Sequence, residues 1–141
     1  MSEQTIQFEL VSPEEKLVSE PVKMAVIPGE EGEFGVLAGH ASLVASLRPG
    51  VVELYAEGQE AASQRIFIAG GFADVTGEQC TVLAEEATNV DVLNQDEIEQ
   101  QIADLNEDLE RAEDDVEKAR VEKRLAMAKA KLSAITGQLA A

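Results

Sequence analysis

The placement of glycine and proline constrains the fold of this chain more than any other feature. Pro13, Pro21, Pro28 and Pro49 are all of its prolines, and nine of its ten glycines lie before residue 78, whereas residues 90–136 contain neither. Backbone breakers at such short intervals exclude long helices from the first part. A run without them permits helices in the second. The chain therefore divides into two unlike halves, 1–88 and 89–141.

The periodicity of the apolar residues follows the same division. In the first half Ile6, Phe8 and Leu10 alternate with Gln7 and Glu9; Val52, Leu54 and Ala56 alternate with Glu53 and Tyr55; Cys80 and Val82 alternate with Thr81 and Leu83. Period two marks strands with one buried face. Their shortness leaves no room for βαβ units, so the expectation is an all-β sandwich or flattened barrel. In the second half Ile98, Ile102, Leu105, Leu109, Ala112, Val116 and Ala119 step by four and three, a stripe one helix face wide. A second stripe, Leu125, Ala128, Leu132, Ile135 and Leu139, is out of phase with the first.

Charge locates the break between the stripes. Residues 91–117 carry twelve acids and one base, Arg111, whereas residues 118–141 carry Lys118, Arg120, Lys123, Arg124, Lys129 and Lys131 against a single acid, Glu122. Opposite charge on successive segments favours an antiparallel α-helical hairpin, with acidic and basic faces paired across it. Asp114 followed by Glu117 has the spacing of a helix N-cap and its partner, which sets the turn at Glu113–Asp115. The rival arrangement is one continuous helix of roughly 45 residues, about 65 Å long. The fold class is α+β: an N-terminal β-sandwich, then a C-terminal helical hairpin.

Several functions are excluded or disfavoured. A net charge of −17 argues against nucleic acid and anionic lipid, both of which are bound through clustered Lys and Arg. No apolar run is long enough to span a membrane, and Met1–Gln4 lacks the basic and apolar regions of a signal peptide. One cysteine, Cys80, permits neither an internal disulfide nor a multi-cysteine metal site, and reads as a small buried apolar residue. His40 is the only histidine, and no motif joins it to a nucleophile such as Ser42 or Ser46. The glycines at 29, 32, 35 and 39 lack the G-K-[ST] ending of a phosphate loop, and Glu30, Glu31 and Glu33 would repel phosphate. No acidic run has calcium-loop spacing. No catalytic residue, cofactor or metal is expected. A part of an assembly is the favoured reading over a free adaptor-like module with a charged arm, and over a hydrolase built on His40.

Four segments in order carry a more specific signal: Val26–Ala41 (VIPGEEGEFGVLAGHA), Leu47–Val52 (LRPGVV), Ile68–Val75 (IAGGFADV) and Thr81–Glu85 (TVLAE). Together they resemble the epsilon subunit of bacterial F-type ATP synthases, and the resemblance extends over essentially the whole sequence. It implies a non-catalytic central-stalk subunit whose sandwich grips the gamma subunit and rests on the c-subunit ring. Such a subunit passes proton-driven rotation to the catalytic head, as a peripheral protein on the cytoplasmic face of the cell inner membrane. By position, the loop Glu31, Gly32, Glu33 and Phe34 would face the c ring, with Glu33 the principal contact, and His40 would lie at the junction of gamma and ring. The helices of many bacterial members can extend along gamma and block ATP hydrolysis. Here Lys118, Arg120, Lys123, Arg124, Lys129 and Lys131 would meet the alpha and beta subunits. Two departures stand out. Ala38 and Ser42 replace the prolines usual around the histidine, and Asn94–Gln101 lacks the Arg of the [IL]-D-x-x-R-A pattern with which some members bind ATP. Asp108, Arg111 and Ala112 match that pattern in part but follow Glu107 and lie too far along the helix.

Overall fold

A computed structural model of the protein describes residues 5–136, which divide into two units after Asn89. Among the described residues the first unit holds ten strands: β1 (Ile6–Val11), β2 (Lys16–Val22), β3 (Met24–Gly29), β4 (Gly32–Val36), β5 (Leu43–Leu47), β6 (Gly50–Tyr55), β7 (Gln64–Ile68), β8 (Gly71–Val75), β9 (Gln79–Ala84) and β10 (Ala87–Asn89). They form one continuous sheet in the order β10-β7-β6-β3-β5-β8-β9-β1-β2, with β4 paired to β3. The sheet folds over at β3–β5, where a single residue pair, Gly29 and Leu47, joins the two layers.

The alternating residues read from the sequence point inward. Ile6, Phe8 and Leu10 of β1, Val52 and Leu54 of β6, and Cys80 and Val82 of β9 are all fully buried, in one core with Ala25, Ile27, Val36, Ile68 and Val75. Each such Val, Leu, Ile or Phe side chain stabilises the fold by roughly 1.5–3 kcal/mol before the entropic cost of ordering it.

Two features of the topology do not follow the sequence reading. First, β1 pairs in parallel with β9, Phe8 opposite Cys80 and Leu10 opposite Val82, while its other edge pairs antiparallel with β2. The first strand is thus inserted between partners far apart in sequence. Second, Gly70–Gly71 does not close a hairpin, because the strands on either side of it are not paired with each other. β7 pairs with β6 and β10, whereas β8 pairs with β5 and β9, so the two glycines carry the backbone from one layer to the other. Glycine is required there, because Gly71 has φ +143° and a Cβ on it would overlap the Leu83 carbonyl oxygen and lie 3.0 Å from Ala84 Cα.

The second unit opens with a short 3₁₀ turn, Val90–Val92, followed by α1 (Gln95–Arg111) and α2 (Asp115–Thr136). Asn94 caps α1, its side chain accepting from the Glu97 N–H at 3.1 Å, and Asp96 and Glu97 sit at the positive end of the helix dipole. Asp114 caps α2, its Oδ1 accepting from the Glu117 N–H at 2.7 Å. The hairpin is therefore the arrangement adopted, with its turn at 112–114.

What holds the helices together differs from expectation. The seam is apolar: Leu105, Val121, Leu125 and Ala128 are buried, with Ile102 and Leu109 packed against them. Lys118, Arg120, Lys123, Arg124 and Lys129 are exposed and make no ion pair among the described residues. Exposed charges on opposing helices act through space, and the direct acid–base pairing expected of these five is not formed. The first stripe is also cut short. Its members up to Ala112 lie at least partly buried, but Val116 and Ala119 are exposed, because the turn rotates α2 so that Val121 takes the inward position. Leu139 of the second stripe lies outside the described residues.

Candidate functional site

The loop residues singled out in the sequence, Glu31–Phe34 and His40, lie at the ends of strands in the first unit, and the six cations Lys118–Lys131 lie on α2 of the second. β3 and β4 form a tight hairpin, with Gly29 opposite Gly32 and Glu30–Glu31 as the turn. Two backbone hydrogen bonds seat this hairpin on the end of β5: the Glu30 N–H donates to Ser46 O at 3.0 Å, and the Arg48 N–H donates to Pro28 O at 3.0 Å. Glu31, Gly32 and Glu33 are exposed. Phe34 is not presented outward with them; it is half-buried and packs against the sandwich core, so it props the hairpin from beneath. Arg48 Nη2 lies 3.5 Å from Glu33 Oε1. Among the described residues, Glu30 and Glu31 are left as the unpaired carboxylates of the tip.

His40 belongs to a different end of the sheet. The Gly39 N–H donates to Gly77 O at 2.8 Å, which places the His40 segment beside the β8–β9 turn, at the Leu43 end of β5. The hairpin tip sits at the Leu47 end. The two are thus separated by the length of β5, about 13–14 Å at the usual strand rise. His40 Nδ1 is 2.7 Å from Ala41 O, a carbonyl that can accept only from the tautomer protonated at Nδ1. No bond joins the ring to Ser42 or Ser46 among the described residues, and Ser46 lies at the far end of β5. A histidine–serine dyad is not assembled.

Between these ends, the outer face of β5, β8, β9 and β1 carries an apolar surface that the sequence reading missed. Register places Ser46, Phe72, Leu83 and Val11 in one cross-strand row and Val44, Asp74, Thr81 and Glu9 in the next. Val44 is 71% exposed, Phe72 56% and Leu83 51%, and Val44 is the diagonal neighbour of Phe72. Three large apolar side chains so exposed and contiguous are unusual on a sheet that otherwise alternates apolar-in, polar-out. The signal was present in the sequence: Phe72 and Leu83 occupy outward phases of their strands, where polar residues are expected. Glu9 borders the patch, accepting from Lys16 Nζ at 3.2 Å and Gln79 Nε2 at 3.2 Å.

Cys80 faces the core behind this patch. Burial, followed by the nearby Asp74 carboxylate, pushes its thiol up to about 12. It is a neutral packing residue, not a nucleophile. In the second unit, the partial match of Asp108, Arg111 and Ala112 falls at the end of α1, where Ala112 is already extended, away from the first turn where the ATP-binding pattern belongs.

No convergent reactive groups occur among the residues described, while one sheet face is apolar and exposed and one hairpin tip is acidic and exposed. The class defined by this fold is a β-sandwich followed by a two-helix hairpin. Residues 5–90 match the family model described as the ATP synthase Delta/Epsilon chain beta-sandwich domain, and residues 94–141 match that of the C-terminal domain of the ATP synthase epsilon chain. The ATP synthase epsilon chain of Rhodospirillum centenum is 52% identical, over 94% of this chain and 93% of its own length. That of Rhodospirillum rubrum is 43% identical, over 95% and 98%. A subunit of the mitochondrial ATP synthase of Euglena gracilis, solved as an OSCP/F1/c-ring assembly, superposes with a TM-score of 0.83 at 27% identity, covering 93% of this chain and 81% of that one. A subunit of the Tetrahymena thermophila central stalk and c ring shares the fold, with a TM-score of 0.69 at 12% identity over 96% and 99%. The chain belongs to the ATP synthase epsilon family, whose members are non-catalytic subunits of that enzyme.

Proposed function

We propose that this chain is the rotor subunit that joins the gamma subunit to the c-subunit ring, transmitting proton-driven rotation to the catalytic head. The observation that carries this reading is the apolar face of Val44, Phe72 and Leu83. An exposed patch of this kind, rimmed by Glu9, Thr81 and Asp74, fits a permanent protein partner, and gamma is the partner proposed for it. The β3–β4 tip, with Glu31 and Glu33 exposed, is the part proposed to meet polar loops of the ring, Glu33 being the principal contact. His40, near the Leu43 end of β5, is proposed to lie at the junction of gamma and the ring. A position at the cytoplasmic face of the membrane follows from this role. No helix among the described residues is long and apolar enough to cross a membrane.

The helical hairpin is proposed as a regulatory arm. The stripe from Ile98 to Ala119 is continuous in sequence, yet the hairpin leaves Val116 71% exposed. A single extended helix would return Val116 and Ala119 to the stripe of α1. An extended arm could carry Lys118, Arg120, Lys123, Arg124, Lys129 and Lys131 to acidic surfaces of the alpha and beta subunits and oppose ATP hydrolysis.

Purification of the membrane ATPase from the source organism tests the main reading. One copy of this chain per complex, co-purifying with gamma and the ring, is expected; a chain found instead in a pool without gamma would support the adaptor alternative. For the arm, truncation at Asp91 is expected to raise hydrolysis by the reconstituted complex while assembly is kept. Unchanged hydrolysis would leave coupling as the only role.

A further inference from the structure

We propose that Arg48 is the positioning residue of the β3–β4 tip, holding Glu33 in its docking orientation before the partner arrives. This rests on the reading of the tip as the ring-facing contact. The residue acts from two directions. Its backbone N–H donates to Pro28 O at 3.0 Å, fixing the base of the hairpin, and its guanidinium reaches back to Glu33 Oε1 at 3.5 Å. Space for that reach is made by Gly50: a Cβ there would meet Arg48 Nη1 at 3.2 Å and Pro28 Cβ at 2.9 Å. The R-P-G sequence is therefore more than a turn. Arginine supplies the reach, and glycine leaves room for the guanidinium.

The consequence is electrostatic and entropic. The tip carries Glu30, Glu31 and Glu33 within four residues. Without a cation beside it, Glu33 would turn away from its two neighbours and sample several rotamers. Arg48 offsets one of the three charges and narrows those rotamers. An exposed pair of this kind, with side chains 39% and 50% accessible, adds little to the stability of the free protein. Its effect appears on docking, where a long side chain ordered in advance spares the entropic cost of immobilising it. That saving corresponds to roughly two- to tenfold in affinity. Glu31, which has no such partner among the described residues, must be ordered on contact.

The test titrates full-length variants onto ATP synthase depleted of this subunit. Arg48→Ala and Glu33→Gln are each expected to weaken binding by about two- to tenfold, with the double variant no weaker than the worse single one. Arg48→Lys should recover part of the loss, and the exchanged pair Arg48→Glu with Glu33→Arg less, because the partner still meets an inverted charge. All variants should melt as the parent does, which separates positioning from folding. Losses that add in the double variant overturn the proposal, as does a loss in Glu33→Gln with none in Arg48→Ala. If neither single variant changes affinity, the ring-contact reading falls, and the proposal with it.

Discussion

Replacing Leu125 by alanine separates the two forces that could hold the helical hairpin closed. Leu125 is 7% exposed and packs in the seam with Leu105, Val121 and Ala128. Truncating a buried leucine costs about 2–5 kcal/mol, from lost transfer and the cavity left behind. A pair of helices joined by so few apolar side chains has little more than that to lose, since helices of this length are marginal without their tertiary contacts. Amide exchange in α1 and α2 of the full-length protein should therefore accelerate by roughly thirtyfold or more in Leu125→Ala. The exposed cations of α2 make the opposite case. Lys118, Arg120, Lys123, Arg124 and Lys129 have no ion-pair partner among the described residues. Lys123→Gln with Arg124→Gln, or about 1 M NaCl, should then change exchange by less than about fivefold, the equivalent of a surface pair. If salt or charge removal loosens the hairpin as much as Leu125→Ala does, the apolar-seam argument is refuted and charge pairing holds the arm closed.

Gly71→Ala should lower stability by at least about 2 kcal/mol, through the strained φ and the collision with the Leu83 carbonyl, seen as a fall in Tm of roughly 8 °C or more. Asp114→Ala should cost α2 about 0.5–2 kcal/mol and fray its first turn, measured by amide exchange near Glu117. Cys80 should resist thiol reagents at about pH 8 in the native protein and react fully once denatured. The raised thiol also has a pH signature. Because the fold favours the protonated form, its contribution is complete below the ordinary thiol value, and is lost as pH rises from about 9 toward about 12. Cys80→Ala should flatten that part of the alkaline unfolding profile.

The parts of the fold that were legible in the sequence are those governed by local rules. Ile6, Phe8 and Leu10 alternate because one strand face is buried, and Asp114 precedes Glu117 because a helix start needs an acceptor. Pairings between distant segments leave no such trace. Nothing in Phe8 or Cys80 announces that their strands run parallel side by side, and the glycines at 70 and 71 look the same whether they close a hairpin or cross between layers. The heptad stripe misled at Val116 and Ala119 because its spacing is unbroken in sequence; only the cap at Asp114 and the extended backbone of Ala112 stop the helix there. For the site, the glycine-rich loop was visible as composition, but the role of Phe34 was not, since a hairpin residue's alternation decides whether it faces core or solvent. The apolar patch went unread because Val44, Phe72 and Leu83 are distant in sequence and meet only through the β5-β8-β9 register.

That patch offers the most direct test of the central claim, that the sandwich is a grip for the stalk. Phe72 is 56% exposed, so Phe72→Asp should leave the melting temperature of the isolated protein nearly unchanged. If Phe72 is the aromatic anchor of the proposed interface, its loss should weaken binding to subunit-depleted ATP synthase by on the order of thirtyfold or more. A Phe72→Asp variant that folds normally and binds as tightly as the parent would contradict the account.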